Sequence, residues 1–166
     1  MSDPPLMAVR ESDLPHVVSL NESAVPAVNS VDAAFFRQMM PVSECFLSTH
    51  VDGALGGFLL LLPPGLDYDS LNYRWFCNHY QDFAYIDRVA VAAEFRRKGL
   101  ASSLYEDFAA SVPDSVPFMT CEVNIKPPNA DSMRFHSMLG FEHVGTQLTE
   151  HGTKEVALLA KPLQPD

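Results

Sequence analysis

Apolar positions recur along the chain with two periods, and these periods predict its secondary structure. Alternating or continuous apolar runs of strand length, bounded by turn residues, predict strands. These runs cover residues 6–9, 44–49, 54–62, 83–91, 117–123, 142–147 and 155–160. Apolar residues at helical spacing predict helices at residues 12–20, 32–40, 99–110 and 129–139. The chain therefore has the pattern of a mixed α/β protein.

Turn chemistry sharpens several of these boundaries. Asp52 and Gly53 separate two apolar runs, and this pair is typical of a β-hairpin. The strand at 83–91, the helix at 99–110 and the strand at 117–123 follow one another, which predicts a parallel crossover. Asn129 is suited to cap the last helix, and Gly140 to the left-handed residue just past its end.

Residues 66–82 show no clear period and are expected to form a loop. Within them, at 68–80, lie five aromatic side chains: Tyr68, Tyr73, Trp75, Phe76 and Tyr80. A loop of this length inside a compact domain is more often functional than idle. Because aromatic faces attract cations, the loop is a candidate wall for an amine acceptor. A dimer contact, or a cover over the sheet, is an equally weighted alternative.

Length and charge narrow the class of protein. The 166 residues show no shift in composition, which predicts a single domain over 1–166. A formal net charge of −10 disfavours nucleic-acid binding and favours cationic or amine-bearing partners. No stretch is long enough to cross a bilayer, and three widely spaced cysteines support neither disulfides nor a zinc knuckle. We expect a cytoplasmic protein with no metal and no membrane partner.

The turn after the strand at 83–91 is the strongest candidate for a ligand site. Arg96, Arg97 and Lys98, three of only eleven basic residues, directly precede Gly99 and a helix. Amide hydrogens at a helix N-terminus lack intrahelical acceptors and attract anions. Basic side chains oppose the helix dipole there unless an anion is present, which disfavours a turn that binds nothing. The pattern predicts a phosphorylated cofactor.

Two motifs at this spacing resemble the GCN5-related N-acetyltransferases, the GNAT superfamily. The first is Arg96-x-x-Gly99-x-Ala101 after a Val-Ala-Val strand. The second is the end of the helix that starts at Asn129, Phe135-His136-Ser137-Met138-Leu139-Gly140-Phe141. The resemblance extends over roughly residues 6–162, the expected core of the domain. It implies an α+β fold with a mixed, mostly antiparallel sheet of about seven strands, a splayed parallel pair and flanking helices.

The resemblance also implies how acetyl-coenzyme A is bound. In this superfamily the pantetheine arm lies between the splayed strands, where it offers hydrogen bonds to their unpaired edges, and the turn holds the diphosphate. The implied contacts are Val89, Ala90, Val91, Arg96, Arg97, Lys98, Gly99, Leu100, Ala101 and Asn129.

Acetyl transfer to an amine requires a neutral nucleophile and protonation of the departing thiolate. By resemblance, Tyr85 and Asp87, two apart and so on one strand face, fall where relatives remove the amine proton. Asp87 has an equally weighted alternative as a structural partner of Arg88. Glu122 is the second candidate base. His136 falls where many relatives protonate the thiolate, and its alternative is a packing role beneath the cofactor.

The expected function is transfer of an acetyl group from acetyl-CoA to an amine of a small molecule, peptide or protein, by direct attack in a ternary complex. A non-catalytic acyl-CoA binding or sensing module is the rival from another class. A phosphate-loop nucleotidase is disfavoured, because neither its Gly-Lys-Ser/Thr loop nor a Gly-x-Gly-x-x-Gly loop is present.

Overall fold

The computed structural model describes residues 4–163, so the outermost ends of the predicted domain, 1–3 and 164–166, lie outside the described residues. The strands are β1 (Leu6–Ala8), β2 (Cys45–Val51), β3 (Ala54–Leu62), β4 (Ala84–Val91), β5 (Phe118–Lys126), β6 (Glu142–Thr149) and β7 (Lys154–Pro162). The α-helices are α1 (Leu14–Ser23), α2 (Ala33–Met39), α3 (Leu71–His79), α4 (Leu100–Ser111) and α5 (Ala130–Met138).

The strands form one open, mixed sheet in the order β1-β2-β3-β4-β5-β7-β6. β1 pairs with β2, β2 with β3, β5 with β7, and β6 with β7, all antiparallel. β4 and β5 run parallel, with Ala84 opposite Met119 and Tyr85 opposite Thr120. The predicted fold class and the parallel crossover through α4 are therefore confirmed.

Contacts within the chain group its residues into two compact units. The first comprises Ile86–Val112 and the described part of Met1–Leu62, and the second comprises Pro63–Tyr85 and the described part of Pro113–Asp166. β4 passes from the second unit to the first between Tyr85 and Ile86. None of the helices within residues 4–163 combines the length and the hydrophobicity that a membrane span requires.

The first unit is organised around the β2–β3 hairpin. Asp52 and Gly53 close the hairpin with φ angles of 51° and 81°, as their sequence predicts. Phe36 of α2 lies 5.6 Å from the ring of Phe46 and 5.7 Å from that of Phe58, so aromatic packing joins the helix to both strands.

The second unit contains a helix within the aromatic segment at residues 68–80, where a loop was expected. Residues 71–79 form α3, so the predicted loop is wrong. The Ser70 hydroxyl caps the helix by accepting a hydrogen bond from the Tyr73 amide. Tyr73 and Phe76 are buried, and a Cβ at Gly145 would lie 2.6 Å from the Trp75 ring. Of the roles left open for these aromatic residues (an acceptor wall, a dimer contact or a cover over the sheet), a cover over the sheet describes the buried ones.

Candidate active site

Tyr85 and Glu122 lie together where β4 and β5 pair. The Tyr85 hydroxyl donates to Oε2 of Glu122 over 2.6 Å, a short bond of the kind that a charged acceptor makes. Tyr85 is fully buried, whereas Glu122 is half-buried. The second unit thus holds a carboxylate oriented by the hydroxyl of a phenol.

Helix α3 packs against the ring that carries this phenol. Tyr73 and Phe76 lie 5.3 Å and 5.8 Å from the Tyr85 ring, measured between centroids. The Tyr73 hydroxyl donates to the Pro63 carbonyl over 2.6 Å and accepts from the Leu66 amide over 2.9 Å. Burial raises the pKa of Tyr73 to about 12, so this second phenol is neutral at physiological pH.

Asp87 lies in the first unit in a buried ion pair. Nε of Arg88 donates to Oδ2 of Asp87 over 2.7 Å, and the two side chains are 3% and 4% exposed. The same guanidinium donates to the side-chain oxygens of Asn21, over 3.1 Å, and of Asn29, over 2.9 Å. It also lies 4.6 Å from the centroid of the Phe35 ring. The structural pairing with Arg88, one of the two alternatives for Asp87, is therefore present.

An acidic cleft adjoins this cluster in the first unit. It has a volume of about 470 Å³ and is lined by Val18, Glu22, Ser30, Val31, Asp32 and Phe35. The Glu22 carboxylate accepts a hydrogen bond from Ser30, and the Asp32 carboxylate caps α2 at the Phe35 amide. Two carboxylates beside an aromatic ring are a setting that favours a cationic ligand.

The basic turn joins the end of β4 to the start of α4. Arg97 and Gly99 have φ angles of 61° and 80°, so two left-handed residues bend the chain directly before the helix. Nε of Arg96 donates to the Val91 carbonyl over 3.1 Å and ties the turn to the strand. No atom of residues 4–163 outside the immediate neighbours of Gly99 lies within 4 Å of where its Cβ would be.

His136 is buried on α5, with its tautomer set by the helix. Nδ1 lies 2.8 Å from the Ser132 carbonyl oxygen, which can only accept, so Nδ1 carries the proton. The neutral ring then has its lone pair at Nε2. Burial lowers the pKa of His136, and the bond to Ser132 offsets part of this shift. The ring is therefore neutral at physiological pH.

Asn129 acts at the start of the same helix. Its side-chain oxygen accepts a hydrogen bond from the Ser132 amide over 3.3 Å, which is the predicted capping role. Gly140 follows the helix with a φ of 93°, also as predicted.

Comparison with known protein families decides the class. The model of the acetyltransferase (GNAT) family matches residues 19–141, well over half of the chain. The chain belongs to this family. No sequence among the curated proteins matched it.

Solved GNAT structures share the fold over almost the full chain. Ribosomal-protein-S18-alanine N-acetyltransferase from Escherichia coli has a TM-score of 0.73 at 17% identity, covering 98% of this chain and 95% of that one. Ard1 from Thermoplasma volcanium has a TM-score of 0.79 at 15% identity, covering 99% and 100%. The putative acetyltransferase yncA from Salmonella typhimurium, solved with acetyl-CoA, has a TM-score of 0.72 at 17% identity, covering 99% and 96%.

The basic turn of this GNAT chain combines two kinds of hydrogen-bond donor that an anion can accept from. Backbone N–H groups at the start of α4 point along the helix axis, and exposed cationic side chains precede them. The ammonium group of Lys98 lies 5.8 Å from the Phe95 ring centroid. Among the residues described, no group of three or more His, Cys, Asp or Glu side chains could hold a metal ion.

Three residues that contribute to these sites were missed at the level of sequence. The carbonyl of Ser132 sets the His136 tautomer, and the spacing of four within a predicted helix could have revealed it. Asn21 and Asn29 complete the Arg88 cluster from 67 and 59 residues away, and no local pattern indicates such partners.

Proposed function

We propose that the chain transfers an acetyl group from acetyl-CoA to an amine by direct attack in a ternary complex. Membership of the GNAT family and the likeness to yncA, solved with acetyl-CoA, support this donor. The observation that carries the proposal is the 2.6 Å hydrogen bond from Tyr85 to Glu122, because it holds a carboxylate in position for proton removal.

Glu122 is our candidate base, acting on the amine directly or through one water molecule. Tyr85 orients its carboxylate by donating a hydrogen bond to it. Asp87 is the second candidate. We rank it lower because its carboxylate is held by the buried guanidinium of Arg88.

For donor binding, we propose that the turn formed by Arg96, Arg97, Lys98 and Gly99, with the amides of Leu100 and Ala101, holds the diphosphate. The backbone of Val89, Ala90 and Val91 offers hydrogen bonds to the pantetheine arm, and Asn129 contributes through its helix cap. Acetyl-CoA supplies the thioester and a thiolate leaving group. We propose that these residues act within a single domain over residues 1–166, which is the prediction from the sequence.

His136 remains a candidate proton donor to the thiolate, with a condition that its geometry imposes. Its Nδ1 proton is bonded to Ser132, so Nε2 can donate only in the imidazolium form. The lowered pKa confines that form to acid pH. At neutral pH we propose the packing role for this ring and departure of the thiolate without it.

For the acceptor, we propose an amine of a small molecule, peptide or protein that is cationic in solution. The acidic cleft of the first unit supports a cationic acceptor. The similar Escherichia coli protein is named for acetylating an alanine of a ribosomal protein, which supports a protein amine. A cytoplasmic location and a homodimer through aromatic side chains stay predictions. Three free thiols, at Cys45, Cys77 and Cys121, support the location.

Release of free thiol from acetyl-CoA tests the proposal across a panel of cationic and neutral amines. We expect release that depends on the acceptor and is faster with cationic amines. Gly99→Glu is the control, because its carboxylate conflicts with the diphosphate, and calorimetry should show lost CoA binding. Binding by the wild type without release with any amine would instead identify the acyl-CoA sensor. Unchanged CoA affinity in Gly99→Glu would remove the turn from the site.

A further inference from the structure

Two adjacent glycines, Gly56 and Gly57, interrupt the bulky side chains of β3. Neither has a positive φ, so backbone conformation does not require them. Space does. A Cβ at position 56 would lie 3.0 Å from Cγ2 of Val51, 3.3 Å from Cδ2 of Leu100 and 3.4 Å from Cδ2 of Phe95. The first two separations are shorter than ordinary contacts between carbon atoms and the third is at their lower limit, so a side chain at 56 would press on these neighbours.

Phe95 and Leu100 stand immediately before and after the basic turn. Phe95 ends the short 3-10 helix Ala93–Phe95, and Leu100 is the first residue of α4. Both therefore rest on the surface that Gly56 leaves open. The backbone adds a third connection, since the Ala92 amide donates to the Gly56 carbonyl over 2.9 Å.

One basic side chain of the turn depends on the same contact. The Lys98 ammonium lies 5.8 Å from the centroid of the Phe95 ring, within range of a cation–π interaction. A shift of Phe95 would move the group against which Lys98 lies. A shift of Leu100 would move the first amides of α4, whose hydrogen bonds to an anion weaken steeply with distance and angle.

We propose that Gly56 is a positioning residue for the diphosphate-binding turn. The absence of a side chain at 56 lets Phe95 and Leu100 seat against β3 and so sets where the amides and cations of the turn lie. This inference rests on the proposed function, because it assigns to Gly56 an effect on the donor through that turn.

Gly57 provides a matched control on the same strand. A Cβ there would lie 3.1 Å from the Ala90 carbonyl oxygen and 3.2 Å from Cδ1 of Leu104, one turn further along α4. Its three nearest contacts include neither Phe95 nor Leu100. Gly57→Ala therefore crowds the same helix and strand without touching the two residues that flank the turn.

The experiment compares acetyl-CoA with S-acetyl-pantetheine, which has the thioester and the arm but no diphosphate. For wild type, Gly56→Ala, Gly56→Val and Gly57→Ala, we would measure the ratio of kcat/KM for the two donors, and the Kd of CoA by calorimetry. We expect Gly56→Val to lower the ratio and weaken CoA binding about tenfold, since a misplacement of roughly 1 Å can cost up to about 100-fold. Gly56→Ala should show the same change at smaller size, and Gly57→Ala should leave the ratio unchanged.

The outcomes separate this inference from the proposed function. A wild-type preference for acetyl-CoA that persists unchanged in both Gly56 variants would overturn the role of Gly56 and leave the turn in place. A wild type without that preference would overturn the turn itself, and the role of Gly56 with it. Should Gly56→Val fail to fold, Gly56→Ala adds only one methyl group, and the ratio of kcat/KM for the two donors in Gly56→Ala against that in Gly57→Ala still decides.

Discussion

Asp87 in the first unit and Glu122 in the second are both strand carboxylates, but they differ in the charge of the group that donates to them. Asp87 accepts from a buried guanidinium over 2.7 Å, and Glu122 accepts from a phenol over 2.6 Å. The donor to Asp87 is a cation that forms an ion pair with it, whereas the donor to Glu122 is the hydroxyl of a phenol. Position on the central strands therefore does not identify a base. The nature of the donor is the reason we propose Glu122, and not Asp87, as the base.

The strongest test of this difference replaces each of the two carboxylates with the corresponding amide. We expect Glu122→Gln to lower kcat about 100-fold or more, the contribution of a positioned base, with CoA affinity unchanged. Asp87→Asn is the matched change, and it should lower stability more than turnover. Steady-state thiol release and urea unfolding measure the two effects. An equal loss of kcat in Asp87→Asn, at unchanged stability, would reverse the assignment.

Removal of the cation tests the structural half of the comparison. Arg88→Met leaves the Asp87 carboxylate buried without its guanidinium, and we expect a loss of about 3–5 kcal/mol in the free energy of unfolding. Arg37→Met is the control, because Arg37 and Glu11 form an exposed pair, 55% and 60% exposed, whose loss should cost much less than the loss of the buried pair. Urea unfolding measures both. Similar losses in the two variants would show that burial does not distinguish these pairs.

The phenol partner of Glu122 should have a smaller effect than the carboxylate itself. Tyr85→Phe deletes the hydrogen bond to Glu122 and keeps the ring, so we expect kcat to fall roughly tenfold, as for a bond to a charged group. Tyr73→Phe removes a phenol that bonds Pro63 and Leu66 instead, and should reduce stability without a matching loss of kcat. Comparable kcat values for Tyr85→Phe and wild type would contradict the orienting role.

The smallest expected effect concerns pH and His136. The pKa of His136 is lowered in the folded protein. On acidification, the imidazole is therefore protonated at a higher pH in the unfolded chain than in the folded one. The free energy of unfolding should then fall as pH drops below about 6.5, by at most about 1.4 kcal/mol per pH unit from this group. His136→Phe should flatten that slope, measured by urea unfolding from pH 8 to 5.

The same variant, His136→Phe, also tests whether His136 takes part in turnover. With the imidazolium confined to acid pH, His136→Phe should match the wild type at pH 8 and fall below it only as the pH decreases. A constant deficit across the whole range would contradict the tautomer that the Ser132 bond imposes.

Much of the fold was readable because its signals are local. The Asp52-Gly53 hairpin, the Asn129 cap and the turn at residues 96–101 each depend on a few consecutive residues. Helix α3 was missed because its signals are weak. Aromatic residues have modest helix propensity, and it is the packing of Tyr73 and Phe76 in the second unit that stabilises it.

The sequence by itself determined the class of the protein and the turn that we propose as its anion site, since both reside in short motifs with fixed spacing. Tertiary structure alone decided that Tyr85 donates to Glu122 and that Asn21 and Asn29 join the cluster around Arg88. Tyr85 and Glu122 are 37 residues apart, and Arg88 donates a hydrogen bond to Asn21, which is 67 residues away in the sequence. The sequence gives the type of each ionisable side chain. Its hydrogen-bond and ion-pair partners depend on how strands and helices that are distant in the sequence pack together.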